Sequence, residues 1–329
     1  MYAELCASDR AMDQAVSVFE DLRPRLFGIA YRVLGSAVEA EDVVQEVWLR
    51  WQKTDRSVVV SPAAFLSSAT TRLAINVAQS ARVRRETYIG PWLPEPIDTS
   101  ADPALGAQRA EALELALLLV LDKLNPTERA AYVLREAFDY AYAEIAAMLQ
   151  LSLVNVRKIV SRAREHLAAE ESGTVDTVEH QRLLEAFIAA ARKGDLASLE
   201  ALLTADVVSL SDGNGLRGAA RVPVRGRARV ANLSTAHRRF WPEADVRVVH
   251  ANGRAGAMIY RDGQPATFMT VAASYEGIHR VMWVFNPNKI AAFLGSTSRT
   301  APASIRRGDS PDVGAKPDRC GSRTEACRG

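Results

Sequence analysis

A chain of 329 residues is too long for one typical domain and suits two or three. Apolar residues make up 48%, enough for real cores, and 41 basic against 39 acidic side chains leave a net charge of +2. Contact with nucleic acid must therefore come from local clusters, because the chain as a whole is not basic. No run approaches the roughly 18 apolar residues of a membrane span, the longest being Leu115 to Leu121. The opening MYAELCASDRAMD carries acids and no apolar core, unlike a secretory signal. Cys6, Cys320 and Cys327 sit at the two extremes and make neither a disulfide framework nor a zinc spacing. That usage fits a reducing cytoplasm, and no motif calls for a cofactor or metal.

Residues 13–90 read as successive helices. Phe19, Leu22, Leu26, Ile29, Ala30 and Val33 form one amphipathic face ended by Gly35. Ser36 or a near neighbour caps a second helix, Val38 to Lys53, with Val43, Val44, Val47, Trp48 and Trp51 among its apolar positions. Val58 to Pro62 is a loop, and Pro62 opens a third helix reaching about Arg85. Gly90-Pro91-Trp92-Leu93-Pro94-Glu95-Pro96 cannot be helical, and 97–104 continue as a polar linker.

Helical pattern returns from Leu105 to Ala169. It ends in YAEIAAMLQLSLVNVRKIVSRAREHL, two short helices about a tight turn. Ile145, Ala146 and Leu149 share a face of the first, Gln150 occupies the turn, and Ser152 caps the second. There Val156, Ile159, Val160, Ala163 and Leu167 form an apolar stripe. Arg157, Lys158, Arg162 and Arg164 occupy the other half, with Ser161 among them, a cationic helix suited to a DNA major groove. Gln150 stands where glycine is favoured, since positive φ costs a side chain about 1 kcal/mol.

His180 to Ala191 and Leu196 to Leu203 are two further helices broken by Gly194-Asp195. Strand-like runs follow at 207–211, 244–251, 256–263, 266–274 and 277–285, so helices precede an antiparallel sheet in an α+β unit. Residues 296–329 are polar and read as a disordered tail.

Two other helices carry chemistry. The one at 63–85 bears Arg72, Arg82, Arg84 and Arg85 with Asn76 and Gln79 between them, groups that hold phosphates and base edges. The one at 38–53 has an acidic first half, and Asp42, Gln45, Glu46 and Leu49 recur at i, i+3, i+4, i+7 as a stripe suited to a basic partner helix. In isolation each is also an ordinary solvated helix.

The order AEDVVQEVWLRW, a basic helix ending SARVRRE, a linker, LNPTERAAYVLREAFDYAYAEIA and the helix pair resembles an extracytoplasmic-function sigma factor of bacterial RNA polymerase. Residues 13–90 resemble its region 2 and 108–172 its region 4, with 91–107 as linker. The resemblance implies that Asp42, Gln45, Glu46 and Leu49 face the clamp helices of the polymerase largest subunit, with the flap as a further contact. It also implies that the Arg72–Arg85 helix handles the −10 element, and that Arg157, Lys158, Ser161, Arg162 and Arg164 approach the −35 element.

Trp92-Leu93-Pro94-Glu95-Pro96, Asp212-Gly213-Asn214-Gly215 and Asn286-Pro287-Asn288-Lys289-Ile290 resemble the signatures of the sigma group with a SnoaL-like domain after region 4. That implies a cone of the nuclear-transport-factor-2 type over 178–295. The group carries DGGGK and NPDKL, so Asn214, Leu216, Asn288 and Ile290 depart from it. Asn214 tolerates positive φ, whereas Asn288 removes an acid.

The expected architecture is multidomain: two all-α sigma domains, an α+β cone and a disordered tail. The expected function is promoter-directed initiation by core RNA polymerase, with no catalysis by the chain itself. The C-terminal domain is expected to cover the apolar strip of Trp92, Pro94 and Pro96 and to regulate in place of an anti-sigma partner. An ordinary helix-turn-helix regulator is the alternative among DNA binders. A SnoaL-like cyclase or isomerase on a DNA-binding chain is the enzymatic one, with Asp206, Asp212, His237, His250, Asp262 and His279 as its titratable groups. Asp212 and Asp262, each before a glycine, read as turn residues.

Overall fold

The computed structural model describes residues 2–99, 114–168, 175–240 and 244–299. The sequence-predicted tail from 300 onward, the linker after Thr99 and the start of the helical pattern at 105–113 lie outside the described residues.

The first three helices are α1 (Tyr2–Leu34), α2 (Ala37–Lys53) and α3 (Pro62–Arg85), with a 3-10 turn at Arg56–Val58 before α3. Their sequence signals act as expected. Ser36 Oγ accepts from the Glu39 amide at the start of α2, and Ser61 caps α3 with Pro62 in its first turn. Phe19, Leu26, Ile29, Ala30 and Val33 of α1 are buried with Val43, Val44, Val47 and Trp51 of α2. The first helix begins at Tyr2, well before the apolar face that marks it in sequence.

Among the described residues four helices follow: α4 (Leu115–Leu121), α5 (Pro126–Glu136), α6 (Tyr142–Leu149) and α7 (Leu153–Ala168). Asn125 and Glu128 form a reciprocal capping box on α5. Gln150 closes α6 in the left-handed region at φ 56°, the conformation that its place in the turn demands. Ser152 Oγ accepts from the Asn155 amide. The stripe Val156, Ile159, Val160, Ala163 and Leu167 is wholly buried. These helices do not form a separate core. Leu26, Ile29 and Leu66 of the first bundle and Leu134, Ile145 and Val160 of the second belong to one continuous apolar cluster.

The remainder is an α+β unit of α8 (Thr177–Lys193), α9 (Leu196–Leu202), β1 (Leu203–Asp212), β2 (Val224–Arg225), α10 (Arg227–Phe240), β3 (Asp245–Ala251), β4 (Arg254–Arg261), β5 (Gln264–Ser274), β6 (Gly277–Val284) and α11 (Pro287–Arg299). The strand order is β2-β1-β6-β5-β4-β3. Three expectations are corrected here. The sheet is mixed, because β1 runs parallel to β6. An unexpected helix, α10, lies in a stretch whose many arginines blur its apolar face, although Val230 and Ala231 are fully buried. Finally, α11 runs on to Arg299, past the predicted start of the tail.

Both faces of the sheet are covered. One packs Val207, Ile259, Val271 and Trp283 against Leu184 and Phe187 of α8 and Val230 of α10. The other packs Met258, Phe268, Met282 and Val284 against Ile290 and Phe293 of α11, Leu115 of α4 and Leu93 of the linker. This is why β5 is buried at every position from Thr267 to Ser274 in place of alternating in and out.

Candidate functional site

The parallel pairing of β1 with β6 brings their two C-terminal ends side by side, Asp212 opposite Val284. The Phe285 amide donates to the Asp212 carbonyl at 2.7 Å. The turn after β1, Asp212-Gly213-Asn214-Gly215, therefore abuts the turn after β6, Asn286-Pro287-Asn288-Lys289. Asn214 and Gly215 take positive φ, 45° and 83°. At Gly213 any Cβ would collide with the Ala219 side chain.

Asp212 ends β1 at the head of this turn, but its side chain is fully buried, which corrects its reading as a mere turn residue. Its Oδ2 accepts from the Leu93 amide and from Lys289 Nζ, each at 2.7 Å. Its Oδ1 accepts from the Tyr88 hydroxyl. Lys289 also donates to the Leu93 carbonyl, and its ammonium lies 4.1 Å from the centre of the Trp92 ring. Asn286 Nδ2 donates to Tyr88 Oη at 2.9 Å. Burial lowers the Lys289 pKa, against the opposing pull of Asp212. Burial, the hydrogen bond to Asp212 and its negative charge all raise the Tyr88 phenol, which holds its proton and donates it. The charge in the second turn is carried by Lys289, and the turn is capped by Asn286, whose Oδ1 accepts from the Asn288 amide.

Further along the linker, the Glu95 carboxylate accepts from Ser36 Oγ and from the Ala37 and Val38 amides at the start of α2, where the helix dipole favours an anion. Tyr31 donates to the Glu95 carbonyl at 2.6 Å. Asn252 accepts from the Ile97 amide and donates to Tyr31 Oη. Asp98 bridges to Ala251 at the end of β3. Pro94 and Pro96 are buried beneath these contacts. The strip from Tyr88 to Thr99 is held by the helical bundle on one side and the sheet on the other. Tyr88 and Asn252 escaped the sequence reading, and Leu93 and Glu95 entered it only as members of the motif in which Trp92, Pro94 and Pro96 were marked. No local signal could have given Glu95 its role, because the helix start that it caps lies 58 residues earlier in the chain.

From Trp92 a chain of contacts reaches the helices. The Arg85 guanidinium stacks 3.3 Å from the Trp92 ring centre. It also donates to Asp122 at 2.6 Å and to the Leu34 carbonyl at 2.9 Å. Asp122 accepts from Arg129 as well, at 2.7 Å, and Arg129 donates to the Val33 carbonyl at 2.8 Å. Elsewhere across the shared core, Arg72 donates to the Met148 carbonyl at 2.9 Å and Tyr140 to Ser67 at 2.8 Å.

The sequence-predicted binding residues therefore divide. Arg72 and Arg85 are committed to partners across the core, and Arg84 to Glu39. Asn76 and Arg82 are exposed on α3. On α7, Arg157, Lys158, Ser161, Arg162 and Arg164 are all exposed, but Arg164 holds Glu136 at 2.6 Å and Ser161 holds Glu165. On α2, Asp42, Gln45, Glu46 and Leu49 form an exposed stripe opposite the buried valines, and Glu46 pairs with Arg50.

The family description "Sigma-70 region 2" matches residues 18–86, and "Sigma-70, region 4" matches residues 114–167. The ECF RNA polymerase sigma factor SigJ of Mycobacterium tuberculosis is 39% identical over 224 residues, 66% of this chain and 71% of that protein. The probable ECF sigma factor SigI of the same organism is 31% identical over 194 residues, 58% of this chain and 67% of that one. The crystal structure of M. tuberculosis SigJ superposes with a TM-score of 0.68 at 31% identity, covering 84% of this chain and 98% of that one. Two sigma regions in order, a shared third domain and a match along nearly the whole of a solved relative lead to one assignment: the chain belongs to the extracytoplasmic-function sigma factors, which direct transcription initiation by RNA polymerase.

Proposed function

We propose that the C-terminal α+β domain holds regions 2 and 4 in a closed arrangement and so controls when the factor can read a promoter. The observation that carries this is the clamp on the linker, where Asp212 and Lys289 grip Leu93, Tyr88 and Trp92 from the far end of the chain. The −10 and −35 elements lie about 25 base pairs apart, roughly 85 Å of B-DNA at about 3.4 Å per pair. In the closed form α3 and α6 touch through Arg72 and Met148. Regions 2 and 4 must part for both elements to be bound together.

In this reading the α2 stripe of Asp42, Gln45, Glu46 and Leu49 docks on the clamp helices of core polymerase and stays accessible in the closed form. The exposed Asn76 and Arg82 meet the −10 element first, and Arg72 and Arg85 join them once the core opens. Arg157 and Lys158 lead the approach of α7 to the −35 element. The C-terminal domain acts as a regulator and performs no chemistry. Its buried acid is neutralised by Lys289, and Asp206 is bonded to Thr204.

The test uses the full chain with fluorescent labels on regions 2 and 4. Core polymerase plus promoter should lengthen the distance between the labels, and Asp212→Asn should lengthen it before any DNA is added. An unchanged distance in both experiments would refute the closed-form reading.

A further inference from the structure

Residues 213–242 hold seven arginines and no acidic residue. The remaining 34 basic residues of the chain face 39 acids, so the molecule is net acidic outside this stretch. Arg217 and Arg221 lie in the loop after the Asp212 turn, Arg225 is on the edge strand β2, and Arg227 and Arg229 are in the first turn of α10. All five are exposed. None of their side chains has a hydrogen bond or ion pair with a described residue. Arg85, Arg129, Arg164 and Arg254, by contrast, each hold a carboxylate.

Their placement is also electrostatically wrong for a structural role. Arg225, Arg227 and Arg229 crowd the N-terminus of α10, the positive end of its dipole, and the first turn offers no acid. A local rule broken without internal compensation marks a functional site. The stretch also touches region 2. A Cβ on Gly90 would lie 3.4 Å from the Arg221 Cα, and the Ile89 side chain packs on Gly215. Both contacts come four or five residues after the end of α3, where Arg82 is exposed and Arg84, also exposed, pairs with Glu39. A basic strip thus passes from the end of α3 onto the C-terminal domain.

We propose that this arginine surface is a third DNA contact, a phosphate-binding face for promoter duplex that supplements regions 2 and 4. Guanidinium forks match phosphate oxygens, and a strip continuous with the DNA-reading helix follows a duplex backbone. Such contacts add affinity without reading bases. The proposal rests on the sigma-factor assignment and adds a function to the third domain.

The test is salt-dependent binding of promoter duplex by the full chain loaded on core polymerase. Arg225→Gln/Arg227→Gln/Arg229→Gln should reduce the slope of log affinity against log salt by about 2–3, at roughly 0.9 per lost phosphate contact. Affinity at low salt should fall about tenfold or more, with promoter preference unchanged. Arg217→Gln/Arg221→Gln should reduce the slope by about 1–2 and serves as an independent second variant. Unchanged slopes in both variants would overturn the proposal. So would weaker binding to core polymerase without DNA, which would assign the arginines to an acidic protein surface. Failure of the sigma reading is separately visible, because the unsubstituted chain would then neither load onto core polymerase nor start RNA synthesis.

Discussion

Lys289 Nζ lies 2.7 Å from Asp212 Oδ2, and both side chains are buried. The pair joins the end of β1 to the start of α11 and closes over the linker between regions 2 and 4. Removing one partner of a buried pair leaves an uncompensated charge, at a cost of about 3–5 kcal/mol. Asp212→Asn should approach that figure, because it strands the ammonium and weakens the Tyr88 and Leu93 bonds together. Lys289→Met should cost less, since Asp212 keeps those two donors. Urea unfolding of both variants checks the order. Equal stabilities close to that of the unsubstituted chain would mean that the pair does not hold the linker.

Charge reversal on α2 separates docking from folding. Asp42→Lys/Glu46→Lys should reduce copurification with core polymerase by tenfold or more. Its melting temperature should barely change, because both residues are exposed and the single ion pair lost, Glu46–Arg50, is a surface pair worth about 0–1 kcal/mol. Undiminished copurification would remove α2 as the docking face.

Arg129 is the buried link between the two helical regions. Arg129→Met would leave the Val33 carbonyl without this donor, while Asp122 keeps Arg85. The expected loss is about 2–3 kcal/mol. Hydrogen exchange should show earlier opening at the contact of α1 with α5, with the sheet protected as before.

His180 introduces a pH dependence. Its Nε2 lies 2.9 Å from the Val271 carbonyl, and burial lowers its pKa below the ordinary 6.5. His279 is lowered by burial too. The unfolded chain then binds more protons than the folded one below about pH 6.5. Their contribution to stability is complete above that pH and is lost as pH falls toward the lowered folded values. Melting of the C-terminal domain between pH 7 and 5 should show this slope, and His180→Phe should flatten it.

Gln150 occupies the left-handed region at φ 56°. Gln150→Gly should raise stability by about 0.5–1 kcal/mol by removing the Cβ penalty, less the added freedom of the unfolded chain. Thermal unfolding would register the gain. A loss would mean that the side chain supplies something beyond the turn.

Short-range pattern accounts for what could be read in advance. Ser36, Pro62, Gly194 and the stripe from Val156 to Leu167 announce their helices within a few residues of themselves, because capping and periodicity are local. The linker motif and the two turn motifs were also visible as signatures.

The amino-acid order by itself therefore determined most of the helices, the two sigma regions, the breaks between them and most of the strands. Only the tertiary structure decided that β1 runs parallel to β6, that Asp212 meets Lys289 over Leu93, that regions 2 and 4 share one core, and that Arg72 and Arg85 bond across the contact between them. The physical reason is range. A helix cap or an apolar stripe is written over neighbouring residues. A strand pairing, a buried ion pair or a competition among carboxylates for an arginine depends on groups tens to hundreds of residues apart, and it is settled when their shared burial excludes water.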